Sequence, residues 1–462
     1  MSGDMPMGMQ LGRDLALLLP QLVVVLTAVV ALVTEMLRRP RAALGLTVVG
    51  LLVATGLAVP LVGVRTTVFM GTYRIDDLSV WATLILAPAT ALCALLAVPE
   101  VGGTDREGTV YSLLSFTALG ALVLAGSGDA MFLVLGVLLA SLGSFALVAY
   151  PRDDRATEAA LKYLVFGSVT SAAMIYGLTF WYGATGSTTL GDLARLTNAP
   201  LVAVGLLAAL VGLGYKAGLA PFHFWAPDAY DGGPLAVAAF LSVVPKIGAI
   251  FALAQVARSL PEAPPDWRPV VAVLAVASMA WGNLAALPQT NVVRLLAYSS
   301  IAQSGYFLLG VVALGRSPLA IRALVVFAAA YAAMNLGAFA VVARAGRDLA
   351  ALAGVGRAAP WTGAALVVFL LSLVGVPPLA GFVGKLLLFG AALDAGYGWL
   401  AVVAILNSVL SLAVYLRLIV PLYRARGEVP EARLPVSVVG VIALVLTVAL
   451  GLVAQALLGW LP

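Results

Sequence analysis

The stretch Val211–Ala229, V-G-L-G-Y-K-A-G-L-A-P-F-H-F-W-A-P-D-A, decides how this chain folds. It lies in an apolar run over 199–229 that is long enough to cross a bilayer, yet Gly212, Gly214, Gly218 and Pro221 interrupt it. Proline removes a backbone donor and collides with the preceding turn, so the helix breaks there. Broken backbone at that depth survives only inside protein or beside a water-filled cavity. The pattern returns at Leu371–Lys385, L-S-L-V-G-V-P-P-L-A-G-F-V-G-K, inside a second apolar run over 360–393. Paired interrupted helices in the two halves of a chain point to an inverted-repeat transporter core. Two kinked packing helices are the plainer reading, and a lysine near each break tips the balance toward function.

Composition agrees with this reading. The 462 residues are 62% hydrophobic and 10% charged, against about 25% charged in soluble domains. So few charges cannot coat a globule of this length, which excludes a soluble enzyme and a disordered or fibrous chain. Apolar runs of about 20 residues, the length that spans a bilayer, recur over 14–37, 43–63, 78–98, 110–127, 129–150, 158–182 and 199–229. They continue over 234–257, 269–287, 292–314, 318–345, 360–393, 399–423 and 435–460. The expectation is an all-α polytopic membrane protein of about fourteen helices, with no separate soluble domain.

Cys93 is the one cysteine and His223 the one histidine, so cysteine and histidine metal or haem sites are excluded. No phosphate-binding G-x-x-x-x-G-K-[ST] segment is present. The net charge of +5 reads as loop arginines rather than nucleic-acid binding. Thirteen of those arginines, Arg38, Arg106, Arg155, Arg344 and Arg424 among them, fall in loops on one side, against eight on the other. The positive-inside rule then places both termini outside. Met1–Arg13 is polar and lacks a cleavage pattern, so the first helix is expected to be retained.

The four lysines carry the functional reading. Lys162, Lys216, Lys246 and Lys385 all lie in expected spans, whereas loops use arginine only. A buried lysine can release its proton and arginine cannot. A charge at mid-membrane costs about 2.5–3.5 kcal/mol on insertion scales, so packing alone does not explain these residues. Lys246 sits at the centre of its span, Lys216 five residues before Pro221 and Lys385 seven after Pro378. Snorkelling to an interface suits Lys162 but not Lys246. Titratable lysines in and beside broken helices read as a proton relay.

Two further features accompany them. Glu158 and Lys162 stand at i, i+4 with the acid first, the favourable order for a helical pair, and are expected to belong to the relay, a structural ion pair being the equal alternative. His223, just past the break, suits either proton relay or a structural bond to a freed carbonyl. Asp228, Asp231 and Asp394 sit at span ends, where solvation accounts for them.

At these residues the sequence resembles the antiporter-like membrane subunits of respiratory complex I, the proton-translocating NADH:quinone oxidoreductase. Among them it is most similar to the subunit N, or ND-two, type. The carrying segments are E-A-A-L-K-Y-L from Glu158, Y-G-A-T-G-S from Tyr182 and G-Y-K-A-G-L-A-P-F-H-F-W-A-P-D-A-Y from Gly214. The span around Lys246, L-L-A-Y-S-S-I-A-Q-S-G-Y from Leu295, and G-V-P-P-L-A-G-F-V-G-K from Gly375 complete the set.

The resemblance implies helices 1–3 over 1–109, inverted five-helix repeats over 110–257 and 258–423, and a last helix over 424–462. It implies that Lys216, Lys246 and Lys385 stand for the family's relay lysines. It assigns flavin mononucleotide, iron–sulfur clusters and quinone to other subunits, with neighbouring membrane-arm subunits and the bilayer of the bacterial plasma membrane as partners. One position departs from the family. In L-G-V-L-L-A-S-L, Leu135–Leu142, Leu138 replaces the carboxylate thought to pair with the helix-seven lysine. Leu138 is expected to face Lys216, with no other acid in salt-bridge reach. A multisubunit cation/proton antiporter subunit and a structural membrane-arm subunit with an impaired path are the rival readings.

Overall fold

The computed structural model describes residues 7–196, 198–261, 266–424, 431 and 433–453. The chain opens with α1 (Met7–Leu17), α2 (Leu19–Met36), α3 (Pro40–Ala58), a hairpin of β1 (Thr66–Val68) and β2 (Tyr73–Ile75), and α4 (Asp77–Val101). It continues with α5 (Glu107–Ala125), α6 (Ala130–Val148), α7 (Asp154–Thr185), α8 (Ala199–Ala217), α9 (Trp225–Gly232) and α10 (Leu235–Ala257). The second half holds α11 (Arg268–Ala286), α12 (Val292–Val312), α13 (Ala320–Ala345), α14 (Val355–Ala358), α15 (Pro360–Val374) and α16 (Ala380–Asp394). It ends with α17 (Gly398–Arg424) and α18 (Leu434–Leu452).

Thirteen described helices are long and apolar enough to cross a membrane. The interrupted pair α15–α16 supplies one more crossing, which agrees with the expected fourteen. One boundary differs from expectation, and one element is new. The first run, 14–37, is two helices, because Pro20 starts α2 afresh and leaves α1 to lie against the hairpin. The hairpin was not legible, being only three residues per strand. The distal part of the 435–460 run, and Arg426, fall outside the described residues.

Side chains set where the helices begin. Asp76 and Ser79 form a capping box on α4, and Asp129, Asp153, Asn198 and Asn291 each accept an amide proton from the first turn of α6, α7, α8 and α12. Glu100 reaches across from α4 to take the amides of Leu235 and Ala236 at the start of α10.

Loop contacts sort into two sets that do not mix. On one face the hairpin meets 126–128, Asp129 bridges Thr189, Arg258 pairs with Asp76 and Arg316 with Asp266. On the other Asn291 bridges Asp348, Arg347 binds the carbonyls of Asp231 and Gly233, and Arg433 binds that of Pro99. This is the alternation the spans require. The second face is the arginine-rich one.

Three helices form the axis of the bundle. α10 is buried along its whole length, and α12 and α13 nearly so. Helices α2, α3, α7, α17 and α18 surround them and expose leucine and valine outward, the pattern a lipid-facing helix requires.

Candidate functional site

Both expected breaks are present and share a construction. α8 ends at Gly218, φ +67°, three residues before Pro221; α15 ends at Gly375, φ +98°, three before Pro378. A left-handed residue costs glycine nothing and lets the chain turn out of the helix. The groups freed by the breaks find partners inside the protein. Ser304 Oγ donates to Ala217 O at 2.8 Å, Ser278 Oγ accepts from Ala220 N at 3.0 Å, and Trp225 Nε1 donates to Tyr215 O at 2.8 Å. Ser372 Oγ accepts from Gly381 N at 3.0 Å across the second break.

Lys216, Lys246 and Lys385 are 0%, 0% and 2% exposed, so snorkelling is excluded for all three. Lys216 Nζ donates to Ala140 O at 2.9 Å, the Tyr163 hydroxyl at 3.0 Å and Ser141 Oγ at 3.2 Å. Tyr163 is held by Trp225, stacked with centroids 4.3 Å apart. Lys246 Nζ donates to Ser304 Oγ at 2.8 Å and Ser300 O at 2.9 Å, and lies against the break at Gly218. Lys385 Nζ donates to Leu373 O at 2.9 Å, Val374 O at 3.0 Å and Ser408 Oγ at 3.2 Å. Two of these acceptors end α15, where the helix dipole favours a cation. Among the described residues no carboxylate pairs with any of the three.

Helix α12 connects the last two lysines. One face carries Ser300 and Ser304, the partners of Lys246. Its other face carries Gln303, whose Nε2 donates to Leu373 O at 3.1 Å, so Gln303 and Lys385 share one carbonyl oxygen. Ser299 and Gln303 meet the Tyr415 hydroxyl, and Tyr306 accepts from Ser408 at 3.0 Å, with the Lys385 amine 3.9 Å from the ring centroid. On the arginine-rich side the Tyr230 hydroxyl lies 3.3 Å from Ser300 Oγ.

The remaining expected residues fall into different roles. Glu158 and Lys162 form the expected pair at 2.7 Å, but in a half-exposed cluster apart from the three buried lysines. Lys162 also binds Asp228 at 3.1 Å, and Asp228 binds Arg294 at 2.7 Å. Asp228 therefore ties α7, α9 and α12 together, and solvation does not account for it. Asp231 likewise pairs with Arg155 and accepts from Asn291. His223 is buried between the rings of Phe224 and Trp281, and among the described residues its Nδ1 takes no hydrogen bond. The alternative of a bond to a freed carbonyl is not realised.

Leu138 does not face Lys216 as expected. It is 42% exposed, on the outward stripe of α6 with Leu135 and Leu142, and the amine meets α6 at Ala140 and Ser141 instead. Helical rotation explains the difference, since two residues turn through about 200°.

Sequence reasoning missed the neutral partners Tyr163, Tyr230, Ser300, Gln303, Ser304, Tyr415 and Ser408. Hydroxyls and amides are common in helices and carry no charge signal. The one hint was the polar run S-S-I-A-Q-S on α12.

Residues 127–411 match the family model described as NADH:quinone oxidoreductase/Mrp antiporter, TM. The chain is 42% identical over 444 residues to NADH-quinone oxidoreductase subunit N 1 of Streptomyces griseus subsp. griseus, covering 93% of each. It matches a chain of respiratory complex I from Thermus thermophilus with TM-score 0.85 and 35% identity, over 96% of this chain and 99% of that one. A chain of the Mrp complex from Dietzia sp. DQ12-45-1b shares the fold, with TM-score 0.83 and 24% identity over 96% of each.

Proposed function

Because the chain belongs to the NADH:quinone oxidoreductase/Mrp antiporter transmembrane family, we propose that it is the subunit N of a proton-pumping NADH:quinone oxidoreductase. It works in the membrane arm of that complex, moving protons while partner subunits carry the flavin, iron–sulfur clusters and quinone. The observation that carries this reading is the row of buried lysines with only neutral partners, joined by hydroxyls and amides. An amine held by neutral hydroxyls and carbonyls can release its proton without breaking an ion pair, which arginine cannot do and a relay needs.

In this reading Lys246 is the central relay. It exchanges protons with Lys216 past the break at Gly218, and with Lys385 past α12. Lys216 is the switched site and Lys385 the exit-side site. Between Lys246 and Lys385, Gln303 shares the Leu373 carbonyl with Lys385 while Ser300 and Ser304 on the same helix hold Lys246, which supports transfer past α12. Both termini lie on the outer side, with the arginine-rich face inside, and the two five-helix repeats divide near residue 258. The shared fold keeps a cation/proton antiporter as the rival.

The test uses the assembled complex reconstituted in liposomes. Lys246→Ala should assemble but lose pumping and coupled turnover. Lys246→Arg should not restore it, because arginine keeps its proton. Full pumping with arginine would refute a deprotonation step at this position. Co-purification with antiporter subunits, in place of redox subunits, would favour the rival.

A further inference from the structure

The Lys162–Asp228–Arg294 cluster stands outside the row of buried lysines, yet it touches the elements that hold Lys216. Lys162 and Tyr163 are consecutive on α7 and so point roughly 100° apart. Lys162 is half-exposed and Tyr163 is buried. Trp225 and Asp228 stand three residues apart on α9 and share a face. α7 and α9 therefore meet twice. Inside, the Tyr163 and Trp225 rings stack with centroids 4.3 Å apart and planes 15° from parallel. Outside, Lys162 Nζ pairs with Asp228 at 3.1 Å.

Three hydrogen bonds close this unit around the amine. Tyr215 Oη donates to Tyr163 O at 2.6 Å, and Trp225 Nε1 donates to Tyr215 O at 2.8 Å. Lys216 Nζ then donates to Tyr163 Oη at 3.0 Å. A shift of α9 at Asp228 is thus carried by Trp225 to the Tyr163 hydroxyl, because a packed interior transmits displacement. The far end of α9 is pinned separately. Asp231 pairs with Arg155 there, and Gly232 packs so closely that an added Cβ would come within 2.4 Å of Ala159 Cβ. Arg294 takes the other carboxylate oxygen of Asp228 at 2.7 Å, which ties the near end to α12, the helix of Ser300 and Ser304.

We propose that Lys162, Asp228 and Arg294 are positioning residues for Lys216, acting through Trp225 and the Tyr163 hydroxyl rather than by carrying protons. This rests on the reading that Lys216 takes part in proton transfer. A carboxylate gripped by two cations is fixed in direction as well as in place, which an apolar contact of the same size is not. Carriage lacks a route. Among the described residues Lys162 binds Glu158 and Asp228, and neither carboxylate bonds to Lys216 or to the acceptors of its amine.

Pumping by the assembled complex in liposomes separates positioning from carriage. Lys162→Arg keeps the charge and the pair but cannot release a proton, so it should pump as wild type does. Lys162→Met, which loses the pair at a half-exposed position, should pump several-fold more slowly. An arginine variant as slow as the methionine one would mean that Lys162 releases a proton, and would overturn the proposal. The route is read from a double-mutant cycle, since groups in one network are not additive. Asp228→Asn and Tyr163→Phe should each slow pumping, and the double variant should be no slower than Tyr163→Phe alone. Losses that multiply would show that Asp228 acts elsewhere and would sink the idea. Unchanged pumping in Lys162→Met or in Tyr163→Phe would do the same. Should Asp228→Asn fail to assemble, Lys162→Met replaces it in the cycle. The relay itself is tested at Lys246, so a negative result here leaves that reading standing.

Discussion

Of four lysines against twenty-two arginines, three are buried in the interior, where a side chain that can release its proton does what arginine cannot, and the fourth, Lys162, sits in a half-exposed ion-pair cluster. Tyr163 is a partner of the first of the interior three. Its hydroxyl is 3.0 Å from Lys216, fifty-three residues away in sequence, and tyrosines are frequent in membrane helices for other reasons. If Tyr163 hands a proton to or from Lys216, Tyr163→Phe removes that step while keeping the ring stacked on Trp225. The lost hydrogen bond is worth about 1–3 kcal/mol, so pumping should fall several-fold with the complex still assembled. Unchanged pumping in reconstituted vesicles would remove Tyr163 from the path. Asp228 makes the same point from the other side. Its partners Lys162 and Arg294 stand sixty-six residues away in either direction, a spacing no local rule connects.

At the scale of elements, glycine and proline made the breaks legible, because only they punctuate an apolar run so sharply. What they could not give was the distance of closest approach. Gly218 has φ +67°, and a Cβ there would lie 3.2 Å from Lys246 Nζ. Gly218→Ala thus costs about 1–2 kcal/mol of backbone strain and also pushes on the central amine. Pumping should drop more than stability does, which parallel measurements of proton flux and thermal unfolding would check. Gly381 is stricter, since its Cβ would come 1.8 Å from Ser372 O. That backbone atom cannot yield, so Gly381→Ala should prevent assembly. Gly183→Ala, in a helix with open space around it, is the control and should be tolerated. Equal effects of all three would mean that the breaks are ordinary kinks.

For the whole molecule, the number of crossings was legible from apolar runs, while the hairpin was too short for any period to show. Sidedness is the remaining quantity, and the chain offers a clean way to measure it. Its single cysteine, Cys93, is buried in α4, so a cysteine added at an exposed loop position is labelled without background. Asp105 lies in the loop between α4 and α5, on the arginine-rich face, and Arg195 lies in the opposite loop before α8. Both are exposed. The excess of arginine predicts that Asp105→Cys reacts with an impermeant thiol reagent only in inverted vesicles, where the cytoplasmic face is outward. Arg195→Cys should react only in right-side-out vesicles. Because the two loop sets do not mix, the pair must report opposite sides. The reverse pattern would turn the whole bundle over and place both termini inside.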